Sequence, residues 1–226
     1  MFLEGKSVMK AEDIVAQFPL SKSGKQKFLE DVQHYAEYLG YFPKTESGTI
    51  QIGDPIQADY FLTCGAAASG VTVWLEILRT FPENQRYRVC FLLSESRAGI
   101  SAYYKKYGNS GKLLIYLDHV GDGRHMRIYP SRKLAADRVL LTSLYRACGY
   151  FGSRDLLVEE GKKPFFLHAC TDFPYCVTIC ALQKRKKRFL YRRKTKDTAL
   201  DTTNVNILRA ALTTYLCCSE VNLERK

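Results

Sequence analysis

"TCGAAASGVTVWLEIL", residues 63–78, reads as the end of a strand, a tight loop and then a helix. Val71, Trp74, Leu75 and Leu78 recur at three- and four-residue spacing, which predicts a helix over 68–80 with that face buried. The junction decides the fold class, because open α/β sheets hold their ligands just outside the carboxyl ends of the strands. Chemistry at such a place calls for a carboxylate, imidazole, thiol or hydroxyl. This loop offers Ala66, Ala67 and Ala68.

On the amino-terminal side, "SGKQKFLEDVQHYAEYLG" predicts a helix over 23–40. Ser23 is its cap, Phe28, Val32, Tyr35, Ala36 and Leu39 form one apolar face, and Gly40 is the stop. "GTIQIGD" (48–54) and "ADYFLTC" (58–64) read as two strands around Asp54-Pro55. On the carboxyl side, "YRVCFLL" (87–93) is a near-continuous apolar run, as in a strand covered on both faces, and a shorter helix over 97–107 follows. "KLLIYLDHVGDG" (112–123) predicts a further central strand that turns at Gly121-Asp122-Gly123 and returns through "HMRIYP". A capped amphipathic helix over 131–149 comes next. The strands "PFFLHA" (164–169) and "YCVTICALQ" (175–183), the latter paired with "RFLYR" (188–192), lead to a closing helix over 202–218. This alternation predicts a three-layer α/β/α sandwich with a mixed, mostly parallel central sheet in a single domain, 1–226.

The bulk properties agree. The chain has 226 residues, 46% hydrophobic and 25% charged, enough for one α/β core. There is no apolar run of about 18 residues and no apolar leader at the start, so a cytoplasmic protein with no membrane contact is expected. Eight cysteines without a C-x-x-C pair read as reduced, buried thiols rather than a structural zinc site, the closest cluster being Cys170, Cys176 and Cys180. The net charge of +11 and pI of about 9.2 permit nucleic acid, an anionic surface or an acidic protein without selecting one.

Local motifs exclude several chemistries. Gly121-Asp122-Gly123 leads into another strand rather than a helix, so it is a turn and not a phosphate loop, and G-x-S-x-G is absent. The basic run "KRKKRFLYRRKTK" (184–196) reads first as the solvated turn of a hairpin. Lys184, Arg185, Lys187, Arg188 and Arg192, interleaved with Phe189 and Tyr191, are its candidate contacts for nucleic acid or an acidic partner. Glu95 and Asp118 end neighbouring strands on the rim that carries the alanine loop, where paired carboxylates suit a metal or acid–base chemistry.

The order of these segments resembles the M28 family of zinc aminopeptidases, over nearly all of the chain. "FPLSKSGKQKFLEDVQHYAEYLGY" looks like the opening helix region of bacterial members, and "IQIGDPIQADYFLT" like the paired strands before the first zinc histidine. "AAASGVTVWLEILRTF" resembles the D-N-x-S-G-V helix start, and "FLLSESRAGISAYYKK" the segment that carries a Glu-Glu pair. "LLIYLDHVGDG" resembles the N-L-D-x-V-G strand, and "RRKTKDT" the H-T-x-x-D-T stretch with the last zinc histidine. The resemblance implies a zinc-exopeptidase fold.

Carried over position by position, it also implies a site that has lost most of its ligands. The first zinc histidine falls near Gly65 and the bridging aspartate near Ala66. The catalytic Glu falls on Ser94, the zinc-binding Glu on Glu95, the zinc-binding Asp on Asp118 and the last zinc histidine on Arg193. Cys64 runs almost directly into the alanines, so the longer stretch that the family has between its first histidine and its aspartate is missing.

A catalytic zinc takes about three protein ligands and an open position for water. Two carboxylates without imidazole hold it poorly, and a serine has no basicity with which to activate the water. Two acids facing an empty site repel each other. Arg193 is therefore expected to pair with Asp118, Glu95 or both in the metal's place. His119 is expected to point away from Asp118 by strand alternation, and no spacing requires His125 or His168 at the rim.

The resulting expectation is a catalytically inactive M28 peptidase-like protein without cofactor, a binding or scaffolding module for a protein or peptide partner. Two alternatives stand beside it. One is an active metal-dependent aminopeptidase or amide-processing enzyme, with zinc on Glu95, Asp118 and a ligand from elsewhere. The other is nucleic-acid binding through 184–196.

Overall fold

Residues Tyr60–Cys64 are apolar or small and all five are buried, and so are Leu113–Leu117. Runs of this kind have no polar face to give to water and belong in the middle of a sheet covered on both sides. That is where they lie in the computed structural model, which describes residues 11–16, 24–65, 68–94, 97–107, 112–120, 125–151, 157–158, 173–184, 191–192 and 202–218. The strands are β1 (Lys44–Glu46), β2 (Thr49–Ile52), β3 (Tyr60–Cys64), β4 (Val89–Ser94), β5 (Leu113–Leu117), β6 (His125–Pro130), β7 (Leu157–Val158), β8 (Cys176–Lys184) and β9 (Tyr191–Arg192). They form one sheet in the order β1-β2-β4-β3-β5-β8-β6-β7, with β9 paired to β8. β4, β3, β5 and β8 are mutually parallel, and antiparallel pairs flank them on both sides.

Helices cover both faces. α1 (Ala11–Val15), α2 (Gly24–Tyr38), α3 (Ala68–Thr80), α5 (Arg132–Ala135), α6 (Arg138–Tyr150) and α7 (Thr202–Cys218) share the larger core with Tyr60, Leu62, Phe91, Ile115 and Ile179. α4 (Arg97–Tyr107) packs Ile100, Tyr103 and Tyr104 on the other face, against Phe61, Leu92, Leu114 and Tyr116. The three-layer sandwich with a mixed sheet is therefore present. α3 buries Val71, Trp74, Leu75 and Leu78 as its spacing requires. Trp74 anchors it, donating its indole N–H to the carbonyl of Leu62 at 3.1 Å and packing edge-on against Phe91. α2 buries Phe28, Val32, Tyr35 and Ala36, and Gly40 ends it with φ +78°.

Two local expectations are corrected. The strand through "HMRIYP" is β6, but it does not form a hairpin with β5. β8 inserts between them, parallel to β5 and antiparallel to β6. The helix expected over 131–149 is two helices, because the chain breaks at Ala136 and restarts with Asp137 capping the amide of Leu140. β1 pairs with β2 through Ser47-Gly48, both at positive φ, the two-residue turn whose twist suits a hairpin. The hairpin of β8 with β9 is found, Gln183 facing Arg192 and Lys184 facing Tyr191. The strand expected at 164–169 lies outside the described residues.

Cys64, Cys90, Cys148, Cys176 and Cys180 are buried, whereas Cys217 is half-buried and Cys218 exposed. Burial pushes the thiols of Cys90 and Cys148 up to about 12. Among the described residues, no helix is long and apolar enough to cross a membrane.

Candidate functional site

The register of the parallel strands brings the sequence-predicted positions together. Thr63 of β3 lies level with Leu92 of β4 and with Tyr116 of β5. Two residues further on, Ser94, Gly65 and Asp118 therefore fall on one row at the carboxyl rim, neighbours about 4.8 Å apart. The row continues through β8 and β6, since Leu117 faces Ile179 and Arg127 faces Cys180. Two backbone hydrogen bonds hold it. The amide of Gly65 donates to Leu117 O at 2.8 Å, and the amide of Asp118 donates to Ile179 O at 2.9 Å.

Gly65 supplies no donor side chain, and its neighbours have closed over the space. A Cβ built there would stand 2.8 Å from the Tyr116 hydroxyl and 3.2 Å from Asp118 Oδ1. Real Cβ atoms do not approach so closely, so a histidine at this position would first have to displace Tyr116. Sequence reasoning passed over Tyr116 as one more apolar residue of a central strand. Its strand neighbour Thr63 is buried on the same row, one step below the rim.

α3 is fixed to this rim by Gly70. A Cβ at Gly70 would come within 3.1 Å of Leu117 O, the carbonyl that also binds Gly65. With Ser69 fully buried, the "SG" of the quoted stretch is a packing device that seats the first turn of α3 against β5.

Ser94, where the catalytic Glu falls by resemblance, is turned toward β2. Its hydroxyl accepts from Thr49 Oγ1 at 2.9 Å and donates to Gly48 O at 3.3 Å. Both bonds tie strand to strand along the edge of the site.

Asp118 is nearly buried, its side chain 12% exposed, and among the described residues it pairs with the next one along the chain. His119 Nδ1 lies 2.5 Å from Asp118 Oδ1. An ionised carboxylate only accepts, so the ring nitrogen donates. The expectation that His119 points away is corrected. Alternation applies within a strand, β5 ends at Leu117, and His119 has φ +46°, which folds its ring back onto the carboxylate.

The thiols beside this carboxylate are held protonated. Burial, and then the charge of Asp118, push both Cys64 and Cys180 well above the ordinary thiol range. For Cys180 the positive charge of Arg127 acts the other way. A thiol rather than a thiolate is a poor nucleophile, so neither cysteine supplies one here. Arg127 is a buried cation on the same row, and it bonds the Tyr129 hydroxyl. The sequence did carry a signal for it, a lone arginine between Met126 and Ile128 in a strand.

Ala66, Glu95 and Arg193 lie outside the described residues, as do His168, Arg185, Lys187 and Arg188. Lys184 and Arg192 are placed in β8 and β9 as backbone, and His125 opens β6 opposite Leu182. Among the described residues, no three His, Cys, Asp or Glu side chains converge as a metal-binding group. The described part of the row does not fit the zinc pair of the M28 pattern. One ligand position is a glycine backed by a tyrosine, and the carboxylate is bonded to an imidazole of the chain.

With this geometry in view, the architecture can be set beside solved structures. A leucine aminopeptidase precursor from Bacteroides thetaiotaomicron matches with a TM-score of 0.63 at 11% identity, over 94% of this chain and 96% of that one. The glutaminyl cyclase of Fimbriiglobus ruber matches with a TM-score of 0.62 at 14% identity, over 94% of each chain. A zinc aminopeptidase from Bacillus subtilis matches at 0.53 and 14% identity, over 74% of this chain and 49% of that one. The fold is that of the zinc exopeptidases. No family model and no curated protein sequence matches the chain. The zinc-exopeptidase sheet thus survives at identities where the site residues need not. Because aminopeptidases and glutaminyl cyclases share it, the fold alone selects no reaction.

Proposed function

We propose that this chain is a catalytically inactive relative of the M28 peptidases, one domain over 1–226, that acts by binding a protein or peptide partner. The observation that carries this reading is at Gly65. The place of the first metal ligand by resemblance has no side chain, and the Tyr116 hydroxyl stands 2.8 Å from where a Cβ would lie. The serine at the general-base position bonds Thr49 and Gly48, and nothing in its chemistry replaces a carboxylate base. The inert thiols of Cys64 and Cys180 offer no other nucleophile.

The partner surface in this reading is the carboxyl rim with the hairpin that rises beside it. β8 carries Cys180 next to Asp118, and then runs on to Lys184 and its pairing with β9. Lys184 and Arg192, the described members of that pairing, belong to the basic run 184–196. An acidic protein or peptide segment suits it.

Elemental analysis of the purified chain with an aminoacyl-amide hydrolysis assay tests the proposal. The expected result is no stoichiometric zinc and no hydrolysis. Zinc at one or two per chain with hydrolysis lost in Asp118→Ala would establish the active metallo-aminopeptidase instead. Nucleic-acid binding, the remaining alternative, predicts an affinity that falls steeply with ionic strength, and no binding at low salt would remove it.

A further inference from the structure

We propose that His119 occupies the metal's role at Asp118, so that an imidazole of the chain itself holds the carboxylate which the fold elsewhere gives to zinc. The proposal rests on the reading of a chain without catalytic zinc and says what took the metal's place.

The argument starts from burial. Asp118 is a strand-end carboxylate with its side chain 12% exposed, and a carboxylate so placed needs a charged or hydrogen-bonding partner. In a zinc exopeptidase that partner is the metal. Here it is the ring of His119, itself 14% exposed and 2.5 Å away.

The contact is made by an unusual backbone. His119 has φ +46°, one of two non-glycine residues at positive φ among those described, the other being Ser47 in a hairpin turn. Strain of this kind persists only where the surroundings over-determine it. The surroundings here are the end of β5, locked by Asp118 N on Ile179 O, and the buried Val120 that follows. Between those anchors the left-handed turn brings the ring back over the carboxylate.

The oxygen involved is also the informative one. Oδ1 accepts from His119, and Oδ1 is the atom 3.2 Å from the position of a Gly65 Cβ. The same oxygen thus faces the Gly65 position and is bonded to His119. His119 is bonded to the carboxylate, and the Tyr116 hydroxyl lies beside the Gly65 position.

The test is a melting series with and without zinc chloride or manganese chloride, together with zinc content after dialysis. The variants are His119→Gly, which accepts the positive φ without a ring, and His119→Asn, which also tolerates it and keeps an N–H donor. Wild type is expected to melt at the same temperature with and without either cation. His119→Gly is expected to melt roughly 3–8 °C lower, with or without the cation. His119→Asn should stay near wild type and ignore the cation. His119→Gly melting at the wild-type temperature would overturn the proposal.

Saturable zinc uptake by wild type would overturn it too. Uptake without aminoacyl-amide hydrolysis would leave the inactive-relative reading standing, and uptake with hydrolysis would end both. Should His119→Gly fail to fold, the ring of His119 in the wild type decides by NMR. A strongly deshielded Nδ1–H that disappears in Asp118→Asn supports the proposal, and an unchanged ring signal refutes it.

Discussion

The middle of the sheet and its carboxyl rim lie one residue apart and follow different rules. In the middle, Tyr60, Leu62, Phe91, Ile115 and Ile179 fill one core with Trp74 behind them, as in any α/β sandwich. At the rim, Gly65, Ser94 and Asp118 hold the row where the fold's chemistry belongs, and each is bound to its own chain. The middle sets stability through packing that tolerates little change, whereas the rim needs only that its polar groups find partners. Polar groups at the rim can therefore be exchanged while the architecture stays.

The largest expected effect lies in the middle. Trp74→Ala removes the ring packed on Phe91 and the bond to Leu62 O, and should lower unfolding free energy by about 3–5 kcal/mol in a denaturant titration. A loss below about 1.5 kcal/mol would mean that α3 is not the clamp of the core.

Next comes the seam between the two regions. Gly70→Leu would push a side chain against Leu117 O and Cys64 and should cost about 1–3 kcal/mol, although leucine is the better helix former. A more stable Gly70→Leu protein would show that α3 is not pinned to β5 at this point.

The pH dependence sharpens the contrast from the side of the core. Burial raises Cys90 and Cys148 from 9.0 to about 12. Above pH 9.0 the unfolded chain releases these protons while the folded chain keeps them, so the unfolded state binds fewer. Stability contributed by the neutral thiols is complete below that pH and declines by about 1.4 kcal/mol per pH unit for each thiol toward pH 12. Denaturation at pH 8, 9 and 10 checks this, with Cys90→Ala and Cys148→Ala flattening the decline. A profile that rises with pH would be incompatible with it.

The smallest effect is expected at the rim itself. Gly65→Ala sets a Cβ against the far end of Tyr116, which can swing aside, so the cost should be about 1 kcal/mol or less. Tyr116→Phe should relieve it, and a double-mutant cycle reads the coupling directly. A cost above about 2 kcal/mol would make the rim as tightly packed as the core.

Much of this was legible in the chain. The face of α3, the buried runs of β3, β4 and β5, the stop at Gly40 and the β8–β9 hairpin all follow from spacing and residue type. Those signals are local, because a helix face or an apolar strand reports on its own burial. The position of β6 was not legible. Its sequence is a good antiparallel strand, but only the pairing energy of β8 with both β5 and β6 decides that β8 lies between them. The break at Ala136-Asp137 was hidden by an apolar pattern that continues across it. His119 was misread because the alternation rule was carried past Leu117, where its strand ends.

The sequence by itself determined the layers of the fold and the absence of imidazole and carboxylate at Gly65, Ala66 and Ser94, since periodicity and side-chain identity are written residue by residue. What surrounds those positions was decided by the tertiary structure alone. The hydroxyl of Tyr116 at Gly65 and the ring of His119 on Asp118 are set by strand register and one left-handed turn, and both depend on chain segments that meet only after the sheet has formed.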